Sequence, residues 1–196
     1  MTTRASASDV RGFSLIELMV VVAVFAVVAG IAVPAITSSS NQMRLANGAR
    51  QVERVLQMAK LKAVRADRVI RVRFNCPGAR EYRMVEVLGT PSAPAPDDAD
   101  SAAATRCSQT NYPYPDINPD FFALPNHDGP PGRLPDGVAF SAVQTIDFWP
   151  NGTAHAGGSG LPLPGTGVTL RVYDIKLGTA VNKAITVNGL GKVTLQ

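Results

Sequence analysis

Residues 13–36, FSLIELMVVVAVFAVVAGIAVPAI, contain a single charged side chain, Glu17. As a helix this stretch would be roughly 36 Å long, enough to cross the hydrocarbon core of a bilayer. Arg4 and Arg11 precede it. Positive charge ahead of a first span favours a cytoplasmic N-terminus, so the remainder of the chain is expected to be exported. A secretory signal peptide would have a shorter apolar core and a small-x-small cleavage site. Only the stretch around Ala32 to Thr37 offers a weak one. A plain signal anchor explains the length but not Glu17. A carboxylate inside a membrane helix costs about 2.5–3.5 kcal/mol on insertion scales, and such residues usually serve a function with a partner. Either Glu17 has one, or it sits near the headgroups.

The stretch RGFSLIELMVVVAVFAVVAGIAVPAI resembles the N-terminus of type IV pilins and pseudopilins. The resemblance implies a short basic leader, residues 1–12, ending at Gly12 and removed by prepilin peptidase. It implies methylation of the new N-terminal residue, Phe13, and an assembly role for Glu17. Pro34 falls where many members carry a helix-bending proline. The implied partners are the peptidase, the bacterial inner membrane and other pilins or pseudopilins in a filament. The chemistry is coherent: cleavage creates a charged amine that can meet the Glu17 carboxylate of another subunit. Pairing removes much of the cost of an unpaired buried charge.

Beyond the anchor, residues 41–67 hold no proline. Leu45, Ala49, Val52, Leu56, Ala59, Ala63, Ala66 and Ile70 recur at four- and three-residue steps, which predicts one apolar helical stripe. A self-associating coiled coil would show the same stripe; the small alanines and the strand-rich region that follows point to packing on a sheet. Gly48 and Pro34 are places where the helix could bend. Arg44, Arg50, Arg54, Lys60, Lys62, Arg65, Arg68, Arg71 and Arg73 face only Glu53 and Asp67 in this region. Such an excess either attracts an acidic partner or is a solvated face whose bases snorkel around the stripe.

The rest reads as strands and loops. In VIRVRF, residues 69–74, Ile70, Val72 and Phe74 alternate with Arg71 and Arg73, the pattern of a half-buried strand. Residues 81–88, 145–149, 167–175, 184–187 and 192–195 carry further strand signals, and NGLG at 188–191 predicts a hairpin in which Asn and Gly supply positive φ. Residues 89–135, rich in Pro, Ala and Asp, predict a long loop or insertion, with Tyr112, Tyr114, Phe121 and Phe122 packing part of it down. The expected class is α+β: a long N-terminal helix, membrane half 13–36 and exported amphipathic half, packed on an antiparallel sheet in an exported domain 37–196.

Within the pilin-like group, LQMAKLKAVRADRVIRVRF, FWPNGTA and the terminal NGLGKVTL resemble the GspH/FimT branch of pseudopilins and minor pilins. Some FimT-type members bind DNA for uptake through a C-terminal Gly-Arg-x-Arg. Here the place holds Gly191, Lys192, Val193 and Thr194, one point-charge base where the motif has two forked guanidiniums. Lys192 and Arg171 are the candidate DNA contacts.

No enzyme is expected, and no cofactor or metal. His127 and His155 lie at no metal-ligand spacing from each other or from a cysteine and read as surface loop residues. GLGKVT lacks the earlier glycine and the Ser or Thr after lysine that a phosphate loop needs. Cys76 and Cys107 are either two partly buried thiols or, in an oxidising compartment, one bridge. The bridge would contribute on the order of 3–4 kcal/mol in the loop-entropy account.

Overall fold

The computed structural model describes residues 14–87, 89–90, 93–94, 107, 128–129 and 131–196. Helix α1 spans Leu15–Ala66. The Ser14 carbonyl accepts its first backbone bond, from Leu18 N–H at 3.1 Å. At the other end Asp67 adopts a left-handed conformation, φ 53°, and Arg68 N–H reaches back to the Ala63 carbonyl at 3.3 Å. That six-to-one bond satisfies a carbonyl the helix would leave open. The chain divides into two units, Met1–Ser40 and Asn41–Gln196.

Eleven strands follow in order: β1 Ile70–Phe74, β2 Glu81–Glu86, β3 Gly89–Thr90, β4 Ala93–Pro94, β5 Gly132–Arg133, β6 Val138–Ala142, β7 Ile146–Phe148, β8 Ala154–Ala156, β9 Val168–Asp174, β10 Gly178–Val187 and β11 Val193–Leu195. The expected helix on antiparallel β-structure is what the chain forms, and its strands divide into two principal sheets and a small ribbon. A five-stranded sheet runs β5-β2-β1-β7-β8, a four-stranded sheet β11-β10-β9-β6, and β3 pairs with β4. Every pairing is antiparallel.

Both large sheets turn their apolar faces to the second half of α1. Leu45, Ala49, Val52, Val55, Leu56, Ala59 and Ala63 join Ile70, Val72, Ile146, Phe148, Leu170, Val172, Ile185 and Val187 in one core. Burying a side chain such as Leu56 or Phe148 contributes about 1.5–3 kcal/mol. The alternating stripe therefore holds, with Val55 added and Ala66 only half-buried. Gly48 is a packing position: a Cβ there would lie 3.1 Å from Val138 Cγ1 and 3.5 Å from Pro135 Cδ. Phe74 on β1 meets Phe140 on β6 edge-on, ring centroids 5.1 Å apart, and so links the sheets.

Strand β1 departs from the half-buried reading. Arg71 is 3% exposed and Arg73 4%, so both faces are covered. Arg71 sits opposite Asp147 in register and donates to both of its carboxylate oxygens, at 2.7 and 2.9 Å. Arg83, fully buried, donates to the Gly129 carbonyl at 3.2 Å and lies 3.4 Å from Asp128 Oδ2. Asp128 Oδ1 also accepts from Glu86 N–H at 2.7 Å. A carboxylate brought within reach, across the strand pair for Arg71 and from outside the strands for Arg83, is what allows these guanidiniums to be buried. The alternation rule sees residue type and cannot see that partner.

Strand β6 lies just beyond the span read as loop, and its Val138 is fully buried. Arg80 holds its start, donating to the carbonyls of Val138 at 3.0 Å and Pro135 at 2.8 Å and to Asp136 at 2.9 Å. Within 89–135 the described residues include β3, β4 and β5; the four aromatic residues expected to pack down lie outside the described residues. A disulfide joins Cys76 to Cys107, Cα atoms 4.9 Å apart, and both cysteines are buried.

Candidate functional site

Two regions carry chemistry. The first is the N-terminal part of α1, an apolar helix long enough to cross a membrane, none of whose apolar window is buried. Exposure runs around every side of it: Leu15 77%, Phe25 70% and Ile31 74%. A helix apolar all round needs a non-aqueous environment, lipid or other helices. Glu17 lies in its first turn, exposed among Leu15, Ile16, Leu18 and Met19. It is the sole ionisable side chain between residues 13 and 43. Near a helix N-terminus the carboxylate also meets the positive end of the helix dipole. The helix continues through Pro34. Gly12 and Phe13 lie outside the described residues.

The second region is the β10–β11 hairpin, which carries one of the two DNA candidates, Lys192, while the other, Arg171, lies on the adjoining β9. Its loop is built by Asn188, whose side-chain oxygen accepts from Leu190 N–H at 3.1 Å and Lys192 N–H at 2.9 Å. Only Gly191 has positive φ, 67°, so Asn188 acts through its side chain and not through its backbone conformation. The loop stitches three elements together. Ala154 N–H of β8 donates to the Gly189 carbonyl at 3.0 Å. Lys60 Nζ of α1 donates to the carbonyls of Leu190 and Gly191, both at 3.1 Å. A Cβ on Gly191 would collide with the Gly152 carbonyl.

Lys192 is exposed beside this loop, opposite Asn188. Arg171 on β9 pairs in register with Ala184 and donates to Asn182 Oδ1 at 2.8 Å. Four residues of β10 separate the two levels, roughly 13 Å at the rise of a strand. The two bases are therefore not brought together. Of the basic run on α1 and β1, Arg71 and Arg73 are buried, Lys60 holds carbonyls and Arg68 lies 3.7 Å from Glu86. Arg44, Arg50, Arg54 and Arg65 are the bases of that run that stand exposed.

His155 is not a surface residue. It is 7% exposed and stacks on Trp149, ring centroids 4.3 Å apart. Its ring nitrogens lie 2.8 Å from Thr153 Oγ1 and 2.8 Å from the Gly160 carbonyl, which makes it a structural element of β8. The other histidine, His127, lies outside the described residues. Among the described residues no group of three metal-binding side chains converges.

The membrane-capable helix and its solitary carboxylate define the class of molecule: a chain with an apolar N-terminal helix long enough to cross a membrane, followed by an α+β domain. Residues 8–33 match the family model of the prokaryotic N-terminal methylation motif, the motif of type IV prepilin leaders. No curated protein matches the chain. Among solved structures, it is similar to the type IV minor pilin FimU of Pseudomonas aeruginosa: 17% identity, TM-score 0.47, 79% of this chain and 90% of that one covered. It is also similar to the minor pseudopilin EpsH from the type 2 secretion system of Vibrio cholerae: 12% identity, TM-score 0.44, 78% and 96% covered.

Proposed function

We propose that the protein is a minor structural subunit of a type IV pilus or of a type II secretion pseudopilus. The observation that carries this reading is the methylation motif at residues 8–33, laid on a helix that is apolar all round except at Glu17. Prepilin peptidase removes residues 1–12 after Gly12, and the new N-terminal Phe13 is methylated. Residues 13–36 anchor the subunit in the inner membrane with the domain 37–196 on the periplasmic side. The subunit then leaves the bilayer for a filament, and Pro34 is where its helix bends. Glu17 guides that transfer: its carboxylate is costly alone in lipid and is compensated when it meets a cation of a neighbouring subunit. The role is one of assembly and not of catalysis.

The alternative, a minor pilin that captures DNA for uptake, has less behind it. Lys192 and Arg171 stand apart, and the ammonium of Lys60 is engaged by two carbonyls.

Glu17→Ala tests the reading. The variant is expected to lose its leader as the wild type does, by N-terminal sequencing, and to fall at least tenfold in sheared filaments. Normal incorporation of the variant would remove the role given to Glu17.

A further inference from the structure

The turn between β9 and β10 lies at the end of the α+β domain opposite the terminal loop. Strand β10 runs from Val187, next to the loop held by Lys60, to Gly178, about 30 Å at the rise of a strand. Helix α1 covers a similar distance from Lys60 back to Asn41. The contacts agree. Asp174, the last residue of β9, is in register with Val138, Val138 lies against Gly48, and Ile175 N–H donates to the Gly137 carbonyl at 2.7 Å. Residues 175–177 lie beyond that level, at the end of the domain where α1 enters it. Ile175 is 48% exposed and Leu177 47%, with Lys176 between them and Val181 of β10 also exposed. The turn is a fixed one: Asp174 Oδ1 accepts from Lys176 N–H at 2.8 Å and from Leu177 N–H at 3.1 Å. Arg44 and Arg133 stand exposed at the same end, where both act on Asp136. The acids here are engaged: Asp136 by Arg80 at 2.9 Å, Glu81 by Gly78 N–H at 3.1 Å and Asp174 by the turn itself.

We propose that this end of the domain rests on the anionic surface of the bilayer that holds residues 13–36. Ile175 and Leu177 enter the headgroup layer, and Arg44 and Lys176 meet lipid phosphates. The inference rests on the membrane reading of residues 13–36 given above and adds a second, separate membrane contact. Apolar side chains flanked by bases are the combination that a membrane interface holds, through buried apolar area and attraction to anionic lipid together. Chain position supports it. Arg44 comes eight residues after Ile36, the last residue of the apolar stretch, about 12 Å of helix. With the length of its own side chain, the guanidinium comes near the headgroup layer. The phosphates of a nucleic acid would satisfy Arg44, Arg133 and Lys176 but would leave Ile175 and Leu177 uncovered. The contact is one that the domain must give up before the subunit leaves the bilayer.

The experiment uses the full-length protein reconstituted in vesicles, with an environment-sensitive fluorophore on Leu177→Cys or, as a control, on Leu190→Cys in the terminal loop, where the leucine is 76% exposed. The native cysteines are buried and joined, so the label goes to the introduced thiol. In vesicles containing phosphatidylglycerol the label at 177 is expected to brighten at least twofold and to be quenched by quencher-bearing lipids, with the label at 190 unchanged. R44E/K176E, with its disulfide and melting temperature retained, is expected to remove at least half of that gain, and so is high salt on the unaltered charges. A label at 177 that stays as in water, brightens no more than the one at 190, or responds equally in purely zwitterionic vesicles overturns the proposal. So does a gain that survives both R44E/K176E and high salt, or one that appears only when another filament subunit is added, which would make the turn a protein contact. Each of these outcomes leaves the anchor reading intact as long as the protein floats with the vesicles. Protein that does not float overturns the anchor reading, and the inference with it.

Discussion

At the scale of single residues, charge placement decides most of what is unusual here. Arg71 and Asp147 are each less than one-tenth exposed, and removing the carboxylate takes two charge-assisted acceptors from a buried guanidinium. Asp147→Ala is therefore expected to cost about 3–5 kcal/mol, read as a lower urea midpoint of the α+β domain. Asp136 shows the opposite regime. The hydrogen bond from Arg80 and its positive charge hold the Asp136 carboxyl below its usual value, although that side chain is largely in water. A depressed acid stabilises the fold fully above its unfolded pKa, and the contribution disappears as pH falls through the folded value. Asp136→Asn should melt slightly below wild type at neutral pH, and the two should converge in acid. A constant difference across a melting-temperature series from neutral to acid pH would show that Arg80 does not act on Asp136 through its charge.

At the scale of elements, each strand or helix was legible in proportion to how local its cause is. The α1 stripe is a matter of helical period, and it appears in the core as read, because Leu45 to Ala63 need only one covering surface. Strand β1 was legible as a strand but not as a buried one, since the partners of its arginines lie far along the chain, at Asp147 for Arg71. The β10–β11 hairpin was legible from Asn and Gly, yet its geometry depends on Asn188 accepting two backbone bonds. The disulfide belongs to this scale because it ties residue 107 to the turn after β1. Replacing Cys76 and Cys107 together by serine should lower stability by about 3–4 kcal/mol in the loop-entropy account, measured by denaturant unfolding against the oxidised protein. An unchanged midpoint would mean that Asp128 and its neighbours hold this region without the bridge.

For the whole molecule, the two units expose different kinds of surface. The described part of Met1–Ser40 exposes apolar side chains on every side, whereas Asn41–Gln196 holds a buried core. That division fits a subunit drawn out of a membrane into a filament. A strain lacking the protein is expected to lose either surface pili or exoprotein secretion while the other persists, with both measured side by side. Loss of neither would contradict a filament role.

The sequence by itself determined the membrane-capable apolar helix, the lone carboxylate, the buried helical stripe and most strands of the α+β domain. Each follows from periodicity or composition over a few neighbouring residues. Only the tertiary structure decided that there are two sheets and not one, that Arg71, Arg73 and Arg83 are inside, and that Lys60 is spent on the terminal loop. It also decided that Arg171 and Lys192 stand apart. All of these depend on which distant residue lies across a strand pair or over a face, and burial of a charge depends on that neighbour and not on the charged residue's own type.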